Sequence, residues 1–192
     1  MKLEILPHYE PITEKEFCCV PAALQMIQNR RGLAYLTQDE IGWQLGLVVP
    51  PSLEDRFERV RIGPEPAAGY GTQTSKDEFS IASYFSRNHL PLLIKKIQPD
   101  SSPRFSEVIA AALEEGSDVI ICYNSRCLFG DGDTEHVSLI QEIEPTTGEL
   151  LVIDPAINAP KQRRTTSDAL FRVCSQPEAT ENAGLWIVSS AA

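Results

Sequence analysis

The segment EFCCVPAALQMI, residues 16–27, decides the fold, because it predicts a buried helix that begins with a thiol. Proline is tolerated in the first helical turn, so Pro21 favours a helix that begins at about Cys19. The alanines and Leu24 that follow are good helix formers, and the apolar residues recur at core-facing spacing. Because the N-terminal end of a helix favours negative charge, we expect a cysteine there to have a lowered pKa. Such a thiol is a candidate nucleophile that needs a base.

The composition of the 192-residue chain predicts a single domain, residues 1–192, whose core needs no metal or disulfide staples. Five cysteines, an odd number spread along the chain, favour free thiols over a disulfide framework. A net charge of −10 argues against nucleic acid and anionic membranes as partners. No apolar run approaches the ~20 residues of a membrane span. Met1–His8 lacks the apolar core of a signal peptide, so we expect a cytoplasmic protein.

The order of the predicted elements is helices first and a mostly antiparallel sheet last, which is an α+β arrangement. Helices are expected over about 19–30, after a capping box at 37–40, from 75 to about 90, over 103–115 and over about 167–173. Strands are expected at 91–97, 118–123, 136–141, 149–154 and 185–188. Residues 1–16 and 48–74 are expected to be irregular, and the basic run 161–164 is interpreted as a solvated loop.

Two reactive residues lie at the open end of a predicted hairpin. His136 begins one strand and Asp154 ends the next, with a turn at 146–148 between them. Because the start of one hairpin strand lies beside the end of the other, we expect a carboxylate–imidazole hydrogen bond. The Asp would orient the imidazole, and the imidazole would deprotonate the thiol to give a thiolate–imidazolium pair. A strand-end histidine held by a nearby acid is the purely structural alternative. Of the other histidines, His8 lies in the irregular N-terminal segment and His89 on the apolar face of a helix.

Three motifs resemble those of the papain-like peptidases that cleave double-glycine leaders from bacteriocin precursors. CVPAAL at 19–24 is similar to their Cys-Gly-Pro-Ala-x-Leu signature, HVSLI at 136–140 to their His strand, and LVIDPA at 151–156 to their Asp-Pro motif. The elements between the motifs are also similar in order, so the resemblance covers nearly the full chain. It implies a papain-like α+β fold with Cys19 as nucleophile, His136 as general base and Asp154 as orienting acid. It also implies a peptide or protein substrate. No cofactor is expected, because the sequence contains no ATP- or nicotinamide-binding signature.

Cys18 is the rival nucleophile because it is adjacent to Cys19. Cys19 is preferred because it stands two residues before Pro21, as in the family motif, and Cys18 is then a buried neighbour. A disulfide between the two is disfavoured by strain. A zinc site is disfavoured because the chain has no C-x-x-C and no paired His/Cys spacing. The remaining cysteines are interpreted as packing residues: Cys122, Cys127 and Cys174.

Two positions depart from the family pattern. The family has a Gln six residues before the nucleophile, and its amide helps to form the oxyanion hole; here that residue is Thr13, and 13–16 contain no Gln or Asn. Val20 also replaces the usual Gly after the nucleophile. Losing one oxyanion donor typically costs ~10²–10³ in rate. Either the oxyanion hole is built differently, with the loop 69–72 as a candidate, or the activity is weak or lost.

The sequence therefore predicts a thiol hydrolase that cleaves a peptide or amide bond through an acyl-enzyme on Cys19. Acyl transfer to an amine or thiol is a close variant, because the same intermediate serves both reactions. A non-catalytic descendant that binds a peptide in the cleft is the competing hypothesis.

The loop before His136 contains three acidic residues, Asp131, Asp133 and Glu135. This pattern indicates an ordinary Gly/Asp turn. The alternatives are a cation site, or acids that raise the pKa of His136.

Overall fold

Nine strands and six helices occur in the part of the chain that the computed structural model describes, residues 1–67, 69–98, 100–131, 135–176 and 182–191. The strands are β1 (Leu3–Glu4), β2 (Val48–Val49), β3 (Arg61–Ile62), β4 (Leu92–Ile97), β5 (Asp118–Tyr123), β6 (His136–Glu144), β7 (Glu149–Ile153), β8 (Gln162–Thr166) and β9 (Gly184–Ser190). The helices are α1 (Cys19–Arg30), α2 (Gln38–Gln44), α3 (Ile81–Arg87), α4 (Ser102–Glu114), α5 (Ser125–Phe129) and α6 (Ser167–Cys174). Short 3₁₀ turns occur at Pro51–Arg56 and Asp77–Phe79.

An antiparallel sheet of seven strands carries the site, with the order β4-β9-β5-β6-β7-β8 and with β1 paired to the far end of β6. Every residue of β5 is buried, and so is every residue of β6 except the last. Successive side chains of a strand point to opposite faces, so both faces of the central sheet are covered. This burial explains the unbroken apolar run of β5. The strands β2 and β3 form a separate parallel pair.

Helix α1 packs against β6 and α2, and its residues Val20–Gln28 are all buried. Its C-terminal end is tied to the start of β5, where Arg30 and Arg31 donate from Nε to the two carboxylate oxygens of Asp118 at 2.7 and 2.6 Å. Asp118 is fully buried and also accepts a hydrogen bond from the Tyr9 hydroxyl at 2.8 Å. These contacts fix one end of α1 and therefore the position of Cys19 at the other end.

The α+β class and the mostly antiparallel sheet are confirmed, and so is the capping box at the start of α2. There the Thr37 side chain accepts from the Glu40 amide, and the Glu40 carboxylate accepts from the Thr37 amide. The helix predicted from residue 75 is wrong at its start, because α3 begins at Ile81 and is capped by Ser80 after a 3₁₀ turn. His89 lies beyond the end of α3 and is exposed, not on an apolar helical face.

Some of the short elements were not predicted from the sequence. The basic run 161–164 is not a solvated loop, because Gln162–Thr166 forms β8 at the edge of the sheet next to β7. The two-residue β1 and the five-residue α5 were also missed, since so few residues show no hydrophobic period. Among the described residues, no helix is both long enough and apolar enough to cross a membrane.

Candidate active site

His136 and Asp154 are hydrogen-bonded neighbours, with 2.7 Å between Nε2 and Oδ1. The strand register explains this contact, because Leu139 pairs with Ile153 and the two residues extend from the same end of the hairpin. His136 is 3% exposed and Asp154 is 0% exposed. Because Nε2 faces Asp154, Nδ1 is the ring nitrogen on the side from which a thiol proton can arrive.

Hydrogen bonds from its neighbours stabilise the ionised carboxylate of Asp154. Its Oδ1 also accepts from the Ala156 amide at 2.9 Å, and its Oδ2 accepts from Nη1 of Arg163 at 3.2 Å. Burial raises the pKa of Asp154, but the hydrogen bonds from His136, Ala156 and Arg163 outweigh it and hold this pKa below its ordinary value. The carboxylate can therefore orient the imidazole and stabilise an imidazolium.

Arg163, in β8, connects Asp154 to the loop that precedes His136. Its two terminal nitrogens donate to the two carboxylate oxygens of Asp131 at 2.9 and 3.0 Å. Its guanidinium also lies over the Phe129 ring, 3.7 Å from the ring centroid. Sequence reasoning missed this residue because it lies in the run that was interpreted as a solvated loop.

The two acidic residues before His136 that the structure describes, Asp131 and Glu135, each contact another side chain of this protein. Asp131 binds Arg163, and Glu135 accepts from Nδ2 of Asn182 at 3.2 Å. Asp133 lies outside the described residues. These contacts favour the interpretation as a turn over a cation site in this loop.

Cys19 lies across from His136, at the first residue of α1. The Cys19 sulfur, a ring nitrogen of His136 and a carboxylate oxygen of Glu14 are all within 4.8 Å of one another. The three residues line one pocket of about 230 Å³, to which Phe17, Tyr70 and Trp186 contribute aromatic groups. A second pocket of about 360 Å³ is also lined by Glu14, Phe17 and His136. Because the two pockets share these three lining residues, they adjoin, and together they are called the cleft.

Cys18 does not line either pocket. It is fully buried in a small separate cluster with Leu47, Val49 and Phe57. Burial, with smaller contributions from the charges of Asp39 and Glu14, raises its pKa to about 12. The geometry therefore brings Cys19, rather than Cys18, to the imidazole.

The other cysteines differ in their surroundings. All five cysteines are free thiols, as expected. Cys122 is buried and Cys174 partly buried, which agrees with packing roles. Cys127 is exposed, so its assignment to packing is wrong, because it lies on the short surface helix α5.

The pKa of Cys19 is raised well above its ordinary value, which contradicts the lowered pKa expected from the sequence. Burial is the largest cause, and the negative charge of Glu14 adds to it. A hydrogen bond with the backbone of Val137 acts in the opposite direction. The interaction of an anion with a helix N-terminus is typically worth only about 0.3–1 kcal/mol, so these larger effects dominate. The raised pKa favours a neutral resting thiol over a preformed thiolate–imidazolium pair.

Glu14, and not Thr13, is the residue of the preceding segment that reaches the site. Thr13 is exposed, lines neither pocket, and uses its carbonyl to accept from Nε2 of Gln38 at 3.0 Å. The Glu14 amide donates to the carbonyl of Pro155 at 2.9 Å, which ties this segment to the residue after Asp154. Glu14 was not among the site residues expected from the sequence.

The loop 69–72 lines the pocket, as the sequence suggested. However, the Gly69 amide donates to Pro66 and the Gly71 amide donates to Val48, so these two groups are engaged elsewhere. The first amides of a helix have no intrahelical acceptor, and the Cys19 amide at the start of α1 is one of them. This amide is the better candidate for stabilising an oxyanion.

Comparison with known proteins identifies the fold. No protein-family model matches the chain, and neither does any curated protein. Among solved structures, the peptidase domain of Streptococcus ComA, a bifunctional ABC transporter involved in a quorum-sensing pathway, matches over 96% of this chain and 98% of its own, with a TM-score of 0.52 and 11% identity. Xylellain, a cysteine protease from Xylella fastidiosa, matches over 100% of this chain and 86% of its own, with a TM-score of 0.50 and 10% identity. The chain has a papain-like peptidase fold. This finding confirms the fold that the three sequence motifs implied.

Proposed function

We propose that this protein is a cysteine peptidase that cleaves a peptide or amide bond through an acyl-enzyme on Cys19. His136 acts as the general base and Asp154 orients it. The observation that carries the proposal is the 2.7 Å hydrogen bond between Nε2 and Oδ1, combined with a Cys19 sulfur within 4.8 Å of the imidazole. The papain-like fold, which the chain shares with peptidases, supports the same chemistry.

The reaction begins when a substrate carbonyl enters the cleft beside Cys19. The thiol proton passes to Nδ1 of His136 as the sulfur attacks the carbonyl carbon, and Asp154 stabilises the imidazolium. The Cys19 amide donates to the developing oxyanion. His136 then returns the proton to the leaving amine, which leaves a thioester on Cys19. Water attacks the thioester with His136 as base, and the carboxylic acid and the thiol are released.

Glu14 favours a second candidate function, which is peptide binding without cleavage. Its carboxylate raises the pKa of Cys19, and it would repel an oxyanion formed nearby. A missing oxyanion donor typically costs ~10²–10³ in rate. Acyl transfer is a variant of the enzymatic hypothesis, because an amine or thiol can replace water in the last step.

Labelling with a peptidyl electrophile, followed by mass mapping of the modified residue, tests the proposed site. We expect the electrophile to modify Cys19 in the unaltered protein and to modify it far more slowly in His136→Ala. Cys127 is exposed and supplies an internal control that should react equally in both proteins. Labelling of Cys19 that does not depend on His136 would contradict the assignment of His136 as the base.

Incubation with a mixture of peptides, with and without an added amine, tests the reaction. Shortened peptides that carry a new carboxyl terminus indicate hydrolysis, and an amide adduct indicates acyl transfer. Peptides that bind saturably to the unaltered protein but remain intact would support the binding function instead.

A further inference from the structure

Glu14, Cys19 and His136 bring a carboxylate, a thiol and an imidazole to one point. Across the described residues, this is the one group of three such side chains whose donor atoms approach within 4.8 Å of one another. Thiolate, imidazole and carboxylate are the side-chain ligands of zinc in proteins, and three of them with one open position are typical of an accessible zinc site.

We propose that these three side chains bind a divalent metal ion of borderline softness, Zn²⁺ in the first instance, which reversibly blocks the Cys19 thiol. Tetrahedral coordination with bonds of about 2.0–2.3 Å separates ligand atoms by about 3.5 Å. Because the donor atoms already lie within 4.8 Å of one another, a shift of about 1 Å completes the site. Rotation of these side chains can supply this shift, and all three residues line the same pocket.

The hydrogen bonds around the His136 imidazole match those that usually support a zinc-bound histidine. Zinc-bound histidines usually donate their other ring nitrogen to a carboxylate, which fixes the ring and makes it a better ligand. Here Nε2 of His136 meets Oδ1 of Asp154 at 2.7 Å. Asp154 is in turn held by the Ala156 amide and Arg163. Because Nε2 contacts Asp154, Nδ1 is assigned as the ligand atom in this proposal.

The charge of the pocket favours a cation. A carboxylate oxygen of Glu14 lies within 4.8 Å of the Cys19 sulfur, so a dication bound between them is attracted by the carboxylate charge. Glu65 and Glu135 line the same pocket, and its described lining contains no lysine or arginine. A metal ion that enters therefore meets a negative potential.

The sequence could not reveal this site. The three ligands come from the segment before α1, from the start of α1 and from the start of β6, so they have no characteristic spacing. The missing C-x-x-C pattern excludes a zinc-finger arrangement, but it has no bearing on ligands that only the fold brings together.

A cobalt titration of the full chain tests the proposal, because a thiolate-bound Co²⁺ has a charge-transfer absorption that other ligands lack. We expect this absorption in the unaltered protein, its loss in Cys19→Ser and its retention in Cys127→Ser, which removes an exposed thiol instead. Zn²⁺ should displace Co²⁺ and remove the absorption. Retention of the band in Cys19→Ser would overturn the site.

Glu14→Gln tests the third ligand. Loss of a residue that only supports a metal ligand typically weakens metal binding by ~10–100-fold. Because Glu14 is proposed to bind the metal directly, we expect the dissociation constant for Zn²⁺ to rise by at least that factor. The matched control is Glu65→Gln, which removes a carboxylate from the same pocket outside the ligand cluster and should change the constant much less. Equal affinities in Glu14→Gln and Glu65→Gln would overturn the role of Glu14. His136→Gln provides a second ligand variant, and thermal unfolding of each metal-free variant verifies its fold.

Protection from alkylation provides an independent measurement. Zn²⁺ should slow the reaction of iodoacetamide with Cys19 but not with Cys127, and a chelator should reverse the effect. The site does not depend on the proposed peptidase function. Metal binding without peptide cleavage would support the metal site and contradict the proposed peptidase function. Peptide cleavage that Zn²⁺ does not affect would support the peptidase function and contradict the metal site.

Discussion

At the scale of single residues, Glu14 makes the largest charge contribution to the raised pKa of Cys19. Its carboxylate lies within 4.8 Å of both the Cys19 sulfur and an imidazole nitrogen of His136. A negative charge at this position disfavours both the thiolate and the oxyanion that a peptidase must form. The same charge makes the site a better metal ligand set. One carboxylate thus opposes the proposed peptidase function and supports the proposed metal site.

Replacing this carboxylate by an amide should make the site more reactive. In Glu14→Gln the negative charge is gone, so the pKa of Cys19 falls toward its ordinary value and the thiolate fraction at pH 7–8 increases. We expect faster alkylation of Cys19 by iodoacetamide and a peptide-cleavage rate up to ~10²–10³ higher, the range for one oxyanion donor. Mass mapping and kcat/KM measure the two effects.

The control for this variant is Glu107→Gln, which removes an exposed carboxylate on α4 that lines neither pocket. It should leave the alkylation rate of Cys19 unchanged. Slower or unchanged alkylation in Glu14→Gln would show that Glu14 does not set the reactivity of the thiol.

Arg163 should contribute to stability through Asp154. Because the pKa of Asp154 is held below its ordinary value, its ionised form stabilises the fold above the unfolded-state pKa, and this stabilisation is lost as pH falls through the folded-state pKa. Arg163→Met removes one of the groups that holds this pKa down. We expect it to lower the free energy of unfolding at pH 7 by about 1–3 kcal/mol and to move the loss of stability to higher pH. Urea unfolding between neutral and acidic pH measures both effects.

The adjacent Arg164→Met is the matched control, because the Arg164 side chain is 70% exposed and its nearest carboxylate, on Glu142, is 3.9 Å away. Its effect should stay within about 0.5 kcal/mol. Equal effects of the two substitutions would contradict the connection between Arg163 and Asp154.

At the scale of elements, the position of Cys19 depends on how α1 is attached to the sheet. The helix carries Cys19 at one end and is tied to β5 at the other, where Asp118 accepts from Arg30, Arg31 and Tyr9. The contact is buried, so removing one partner leaves uncompensated charge, which is costly.

Asp118→Asn should therefore destabilise the protein strongly. We expect the free energy of unfolding to fall by about 3–5 kcal/mol, the range for breaking a buried ion pair. Urea unfolding at pH 7 measures it. The control Asp168→Asn breaks an exposed pair with Arg172 in α6 and should cost no more than about 0.5 kcal/mol. A loss below 1 kcal/mol in Asp118→Asn would show that the contact does not anchor the helix.

At the scale of the whole molecule, we expect the negative charge of the protein to determine which peptides bind. The chain carries a net charge of −10, and the pocket beside Cys19 is lined by Glu14, Glu65 and Glu135. A pocket whose charged side chains, among the described residues, are all acidic attracts ligands of positive charge, and salt screens this attraction.

Peptides that contain Lys or Arg should therefore bind more tightly than matched peptides that contain Glu. We expect the preference to weaken as ionic strength increases from low to physiological salt. Dissociation constants measured with the Cys19→Ala variant, which cannot form an acyl-enzyme, separate binding from cleavage. A preference that does not depend on peptide charge would contradict an electrostatic role for the cleft.

Local patterns in the sequence were sufficient to predict the regular elements. The bounds of α1, the capping box at Thr37 and the buried strand β5 follow from helix-start residues, side-chain capping and apolar runs that act over a few residues. The contact between His136 and Asp154 was also predictable, because a hairpin brings together residues that are close in sequence. Short elements such as β8 were missed because their formation depends on a neighbouring strand.

The sequence by itself therefore determined the α+β class, the main helices and strands, and the candidate trio Cys19, His136 and Asp154. The tertiary structure alone decided the surroundings of that trio: that Glu14 reaches the thiol, that Arg163 holds Asp154, and that burial raises the pKa of Cys19. The physical reason is the separation along the chain between the residues that interact. Helix caps and hairpin registers are set by neighbours in the chain, whereas desolvation and charge interactions depend on distances in space between segments far apart in sequence.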